Sequence, residues 1–210
     1  MWIFRSIHFR ATVRIVAVVL ALAGLLVLPG CWVQSVNGLS EAEPFVSTDK
    51  DQTYDPSLLG LWSVTSEDCT TTLDVKADSN EYRWKVTSEG KGCGSEKSET
   101  DYYEGKLFKL DDHKFVDLTA RGEDVCKACI PVHWIFKIKI ENSSLSLIPI
   151  DDKWLKKAEK EKTVSLATSH DDPDTLTASP KELKEFCRRY ADDPDAFKPD
   201  PQFTFERKQP

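Results

Sequence analysis

The sequence predicts a mainly β protein, an antiparallel barrel of about eight strands with one or two short helices near the C-terminus. Apolar and polar residues alternate with a period of two through most of the chain after residue 57, which is typical of strands with one buried face. Short polar turns separate these segments, and helical patterns occur only late. Closure into a barrel is favoured because it leaves no unpaired edge strand.

The alternation is clearest in two segments. Tyr82, Trp84 and Val86 are separated by polar residues, and Trp134 and Phe136 share one face of the segment 132–140. Weaker runs cover residues 59–64, 71–77, 102–110, 114–120, 145–150, 163–167 and 202–207. Polar turns at 78–80, 111–113 and 141–143 predict an antiparallel meander.

Two helices are predicted between the late strands. Asp151 can cap a helix that runs to about Lys160. A capping box begins at Ser179, has Pro180 at the first helical position, and precedes apolar residues at 183, 186, 187 and 190.

The N-terminal residues predict an export signal over 1–30. Arg5, Arg10 and Arg14 precede Ile15–Leu28, fourteen residues without charge. This run is shorter than the ~20 residues that cross a bilayer, but it fits the ~7–15 apolar residues of a signal peptide.

The signal ends in Leu28-Pro29-Gly30-Cys31, which resembles the lipobox of bacterial lipoproteins, with proline where that family prefers a small residue. The resemblance implies cleavage before Cys31 and fatty acyl chains on its thiol and new N-terminus, so that the membrane is a partner through a lipid anchor. Trp32 stands where the inner-membrane retention signal has Asp. The expected location is therefore the cell envelope, on the outer membrane facing the periplasm or the cell surface.

Residues 31–56 are expected to be the lipidated N-terminus and a flexible tether, because they are polar and lack a sustained period. The barrel domain is expected over 57–210. Without the first 30 residues, 25 basic and 35 acidic residues leave a net charge of −10, which argues against nucleic acid as a partner.

Gly60-Leu61-Trp62 resembles the GxW signature of lipocalins and related calycin barrels. In that family the tryptophan lies at the closed base, and an arginine from a late segment packs over it, for which Arg207 is the candidate here. The chain departs from the family by a helix after residue 150 and by lacking its other short motifs. A match of three residues is too short to imply that this protein shares the ligand transport of that family.

The cysteines of an exported domain are expected to pair. A hairpin turn at 78–80 brings Cys69 close to Cys93, which makes this disulfide the favoured one. Cys126 and Cys129 form a CxxC for which a structural disulfide is favoured over a redox pair or a zinc site shared with Cys69 and Cys93. Cys187 is expected to be a buried free thiol.

No catalytic residues, cofactor or metal are expected, since the chain has no GxSxG, HExxH or glycine-rich phosphate loop. The acidic segment 170–174 could hold a divalent cation through Asp171, Asp172 and Asp174, but a solvated turn is favoured.

Aromatic residues give the main functional indication. Trp62, Trp84, Tyr102, Phe108, Phe115, Trp134 and Phe136 are expected to point largely into the barrel, which can be filled by side chains or hold a small ligand. A binding role follows as the first hypothesis, with a small apolar or lipid-like ligand lined by Trp62, Trp84, Trp134 and Phe136. The alternative is a protein-interaction module with a filled core, an inhibitor or assembly factor that binds another envelope protein through loops such as 122–131.

Overall fold

The computed structural model describes residues 33–40, 49–79, 81–93, 98–121, 131–169, 175–200 and 203–208. Cys31, Cys126, Cys129 and the acidic segment 170–174 lie outside the described residues. Residues 32–210 belong to one compact unit, and residues 1–31 are a separate one. The described strands are β1 (Gln34–Ser35), β2 (Gln52–Thr53), β3 (Gly60–Ser66), β4 (Cys69–Asp78), β5 (Glu81–Glu89), β6 (Glu99–Leu110), β7 (His113–Arg121), β8 (His133–Glu141), β9 (Ser144–Pro149), β10 (Thr175–Leu176) and β11 (Thr204–Arg207). The helices are α1 (Asp152–Lys160) and α2 (Pro180–Tyr190).

Eight of these strands, β3 to β9 and β11, form a closed antiparallel barrel. The strands β3 to β9 follow one another as a meander, and β11 closes the ring between β9 and β3. In this closing strand Phe205 is paired with Leu145, and Arg207 is paired with Trp62. The predicted mainly β barrel with two short helices is therefore confirmed.

Polar residues make the hairpin turns because the turns require left-handed backbone. Ser79, Asp111 and Asn142 have φ values of 57°, 54° and 53°. Short polar side chains tolerate this conformation better than branched ones, as the sequence indicated at 78–80, 111–113 and 141–143.

Two buried clusters lie on opposite faces of the barrel wall. The interior cluster includes Trp62, Trp84 and Phe136. The outer cluster joins Phe108 and Phe115 to α1, α2 and the N-terminal segment. The expectation that Phe108 and Phe115 point into the barrel is wrong, because the helices provide a second dry face on β6 and β7. Tyr102 is also on the outside, where it is 51% exposed.

Both helices form where the sequence predicted them. Asp151 accepts the N–H of Trp154 at the start of α1, and Ser179 and Glu182 complete the capping box of α2. The apolar faces of α1 and α2 lie against the outer cluster through Leu155 and Leu183, among others. No helix among the described residues has the length and apolar content needed to span a membrane.

The described parts of residues 31–56 pack against the barrel, unlike the flexible tether that was expected. β1 pairs with β8 and β10, β2 pairs with β6, and Leu39 is fully buried. The predicted strand over 163–167 is not formed. The next residue, Thr168, makes an isolated bridge to Leu176.

Candidate functional site

The two ends of the barrel differ, and the end near Trp62 is closed. The short 3-10 helix Pro56–Leu58 lies at this end, and the Trp62 indole donates to the carbonyl of Leu58 at 2.9 Å. The guanidinium carbon of Arg207 lies 3.9 Å from the centroid of the Trp62 ring. The same guanidinium donates to the carbonyls of Leu59 and Ser57. This geometry is consistent with the resemblance to lipocalins, in which a late arginine covers the tryptophan of the first barrel strand.

Side chains that point into the barrel become more exposed toward the opposite end. On β3, Trp62 is buried and Val64 is half-buried. On β5, Trp84 is buried and Val86 is half-buried. On β8, Phe136 is buried, whereas Trp134 is half-buried. The interior is therefore packed near the closed end and partly accessible near the other.

The partly accessible inward side chains form an apolar cup. Tyr103 and Trp134 make an edge-to-face pair in it, with ring centroids 5.8 Å apart and an interplanar angle of 82°. Burial, together with the nearby carboxylate of Asp101, raises the pKa of Tyr103 above 10.0, so its phenol stays neutral near neutral pH. The half-buried apolar residues of the cup are Val64, Val86, Tyr103, Trp134 and Phe203.

Of the four predicted ligand contacts, only Trp134 lies in the cup. Trp62, Trp84 and Phe136 are at most 4% exposed and belong to the packed interior. Tyr103 was missed, although it alternates with Gly105 and Leu107 along the inner face of β6. The alternation is visible in the sequence. The outer face of β6 carries both polar and apolar residues, however, so the alternation alone does not show which face points inward.

Trp84 carries an unusual feature of the packed interior. Its indole N–H is buried and has no hydrogen-bond partner among the described residues. A Cβ on Gly105 would lie 2.5 Å from this nitrogen, so glycine is required where the ring crosses β6. The Trp84 ring can occupy this position because glycine at residue 105 has no side chain.

The predicted disulfide links Cys69 to Cys93 at the cup end, with 4.9 Å between the Cα atoms. It joins the start of β4 to the turn after β5. Gly90 permits this turn, because it has φ of +123° and a Cβ would lie 2.0 Å from the Asp68 carbonyl oxygen. Cys187 is a buried free thiol, and burial raises its pKa.

A histidine and a carboxylate meet on the outer face of the barrel. His133 Nδ1 lies 2.7 Å from Asp117 Oδ1 and 3.3 Å from the Thr119 hydroxyl. The other Asp117 oxygen accepts the N–H of Leu39 at 2.8 Å. A catalytic triad needs the acid and the nucleophile on different imidazole nitrogens, whereas both neighbours here face Nδ1. The pair instead holds the N-terminal segment on the barrel.

Among the described residues no group of three or more His, Cys, Asp or Glu side chains is placed to hold a metal ion. Comparison with protein-family models, with curated proteins and with solved structures finds no match for this chain.

Proposed function

We propose that this protein is a lipid-anchored binding protein of the cell envelope and that its cup takes a small apolar or lipid-like ligand. The observation that carries the proposal is the half-buried Tyr103–Trp134 pair above a packed barrel interior. No catalytic step is part of the proposed role.

The depth of the packed core limits what the cup can bind. Trp84 and Phe136 fill the barrel below it, so a ligand enters only the upper part of the interior. Covering the exposed apolar surface of Val64, Val86 and Trp134 stabilises a complex by about 25 cal/mol for each Å² removed from water. The end of an acyl chain fits this description, because it offers apolar surface along a narrow outline.

Palmitate titration tests the proposal, with residues 32–210 produced by export as the protein sample. Trp134 emission is expected to change when wild type binds palmitate. Equilibrium dialysis with radiolabelled palmitate gives the affinities of all variants, and Trp134→Ala or Tyr103→Ala is expected to weaken binding roughly tenfold through lost apolar contact. Trp154→Phe is the matched control, because Trp154 packs outside the barrel against Phe186 and Tyr190. Equal affinities in all four proteins, or no binding to any, would refute the cup as the site.

We also propose that Cys31 carries the lipid anchor. Its support is the lipobox resemblance at 28–31 and the apolar run before it. Mass spectrometry of the N-terminal peptide from membranes should show a chain that begins at Cys31 and carries acyl chains. Cys31→Ala should leave the signal uncut and the peptide unmodified. An unmodified N-terminus in the wild type would contradict the anchor.

A protein-interaction role is the alternative, and the filled lower barrel favours it over deep ligand storage. Trp62, Trp84 and Phe136 leave the base of the interior to side chains. A pull-down with the full chain and with a deletion of residues 122–131 tests this role. Loss of a partner on deletion, together with absence of palmitate binding, would favour interaction over the cup.

A further inference from the structure

One part of the outer barrel wall is left uncovered by the helices. Along β4, β5, β6 and β7, outward side chains of directly paired residues form a row: Asp74 opposite Lys85, Lys85 opposite Tyr102, and Tyr102 opposite Arg121. Tyr102 is one of the most exposed large hydrophobic side chains described. An exposed aromatic side chain between two cations is a combination that barrel packing does not require.

This row borders a shallow groove with a volume of about 260 Å³. Its wall also includes Lys76, Arg83 and Glu104 from the adjacent row. The groove is smaller than the cavities of roughly 300–1,000 Å³ that hold drug-sized ligands. A ligand that fits it is therefore small, or is one unit of a chain that continues into solvent.

The charge of the groove is opposite to that of the protein. Among the described residues, four cationic and two anionic side chains line the groove, whereas the whole chain has a net charge of −7. Lys76 pairs with Asp74, and Arg121 pairs with Glu104. Arg83 pairs with Asp78 outside the groove. Lys85 makes no ion pair with the described residues, so its ammonium group is available to an anion.

Sheet pairing argues against an extended peptide as the ligand. Each of β5 and β6 is hydrogen-bonded on both sides along the row, so neither strand offers a free edge to a peptide. Recognition here must use side chains. Lysine and arginine bind a carboxylate or phosphate, and an aromatic ring packs against the apolar C–H face of a sugar ring.

We propose that the groove formed by Lys85, Tyr102 and Arg121 binds an acidic sugar unit of a glycan. The assignment of this glycan to the cell envelope rests on the location proposed above. The ring of the sugar packs on Tyr102, and its acidic group pairs with Lys85. Arg121, which is paired with Glu104, adds positive charge on the other side of Tyr102. The side chains that bind the sugar unit are on the outer face of the barrel, whereas those of the cup point inward. Trp84 and Tyr103 also border the groove, so the two sites are neighbours.

Titration calorimetry of the purified full chain in a non-ionic detergent tests the proposal with digalacturonate as the probe. Digalacturonate is expected to bind, and its neutral counterpart, digalactose, is expected not to bind. Lys85→Gln and Tyr102→Ala should each weaken binding roughly five- to tenfold, and added salt should weaken it further. Lys109→Gln is the matched control, because Lys109 is an exposed lysine on β6 outside the groove.

Failure of digalacturonate to bind, or equal binding by Lys85→Gln, Tyr102→Ala and wild type, would overturn the site. A tetra-aspartate peptide or inorganic phosphate that binds as tightly as digalacturonate would overturn the sugar assignment. Both groove side chains are exposed, and unchanged thermal unfolding of the variants excludes misfolding as the cause of weaker binding. Palmitate should bind both variants with wild-type affinity, because the side chains of Lys85 and Tyr102 point outward.

Discussion

Arg207 covers Trp62 from a strand 145 residues later in the chain, with 3.9 Å between its guanidinium carbon and the ring centroid. Its two hydrogen bonds to backbone carbonyls hold the Pro56–Leu58 helix against the same end of the barrel. Gly60 makes room for this arrangement, because a Cβ there would lie 2.9 Å from the guanidinium. The Arg207 side chain thus connects β11, β3 and the 3-10 helix Pro56–Leu58.

Arg207→Ala should lower the free energy of unfolding by about 2–3 kcal/mol, since it removes a cation–π contact and two hydrogen bonds. Arg207→Lys retains the charge but cannot donate to both carbonyls, so roughly half of the loss is expected. Urea unfolding measures both. The exposed Arg83→Ala should leave the midpoint unchanged, and a wild-type midpoint for Arg207→Ala would show that the base does not depend on this contact.

The disulfide at the opposite end should contribute about 3 kcal/mol to the free energy of unfolding, because it links Cys69 to Cys93, at a sequence separation of 24, in the unfolded chain. Urea unfolding of the Cys69→Ser/Cys93→Ser double variant measures this contribution. Adding a reductant to the double variant provides the control, since any further loss must come from other cysteines. An unchanged midpoint in the double variant would refute the estimate.

Strand positions were predictable because each barrel strand has one buried inner face, which places apolar residues at every second position of the sequence. Periodicity could not show that β6 and β7 have a second dry face under the helices, and so Phe108 and Phe115 were placed inside. The packing of Leu39 was equally hidden, because few apolar residues surround it in sequence. The cup was predicted only through Trp134, since exposure along the barrel axis depends on strand tilt.

Long-range charge pairing was also beyond sequence analysis. Lys184 on α2 lies 2.8 Å from Asp49 and 2.9 Å from Asp51, and both carboxylates belong to a segment more than 130 residues earlier in the chain. A lysine on a helix is usually solvated, yet the side chain of Lys184 is only 1% exposed. The identity of its partners follows from the tertiary fold alone.

Lys184→Met should therefore destabilise the protein by about 3–5 kcal/mol, because it leaves the Asp49 carboxylate buried without this cation. The double variant Lys184→Met/Asp49→Leu should recover part of the loss. Lys156→Met is the surface control: its partner Asp152 is 3.5 Å away on the same helix, and the cost should be below about 0.5 kcal/mol. Similar losses from Lys184→Met and Lys156→Met in urea unfolding would contradict the role of burial.

Acid should destabilise the protein partly through Asp55. Burial acts to raise the pKa of Asp55, but hydrogen bonds from Lys114 and Ser57 and the charge of Lys114 lower it below 3.8. A depressed pKa contributes stability that is present above the unfolded value and is lost as pH falls toward the folded value. Lys114→Met should reduce stability at about pH 6 and flatten its decline toward about pH 3. The free energy of unfolding is measured against pH for both proteins. If the two curves are parallel, the Lys114–Asp55 pair does not contribute to the acid sensitivity.

Gly38 lies directly against the His133–Asp117 pair, and this contact leaves no room for a side chain. A Cβ at residue 38 would lie 2.3 Å from Asp117 Oδ2 and 2.7 Å from His133 Nδ1, so Gly38→Ala must displace the segment or the pair. Displacement removes the Leu39 N–H bond to Asp117 and exposes a side chain that is fully buried. We expect the free energy of unfolding to fall by about 1–3 kcal/mol. We also expect a nonspecific protease to cleave faster within residues 33–40. Lys50→Ala, an exposed change in the same N-terminal region, should alter neither. Wild-type cleavage rates for Gly38→Ala would show that Asp117 and His133 do not hold this segment, and the assignment of the pair to a structural role would then fail.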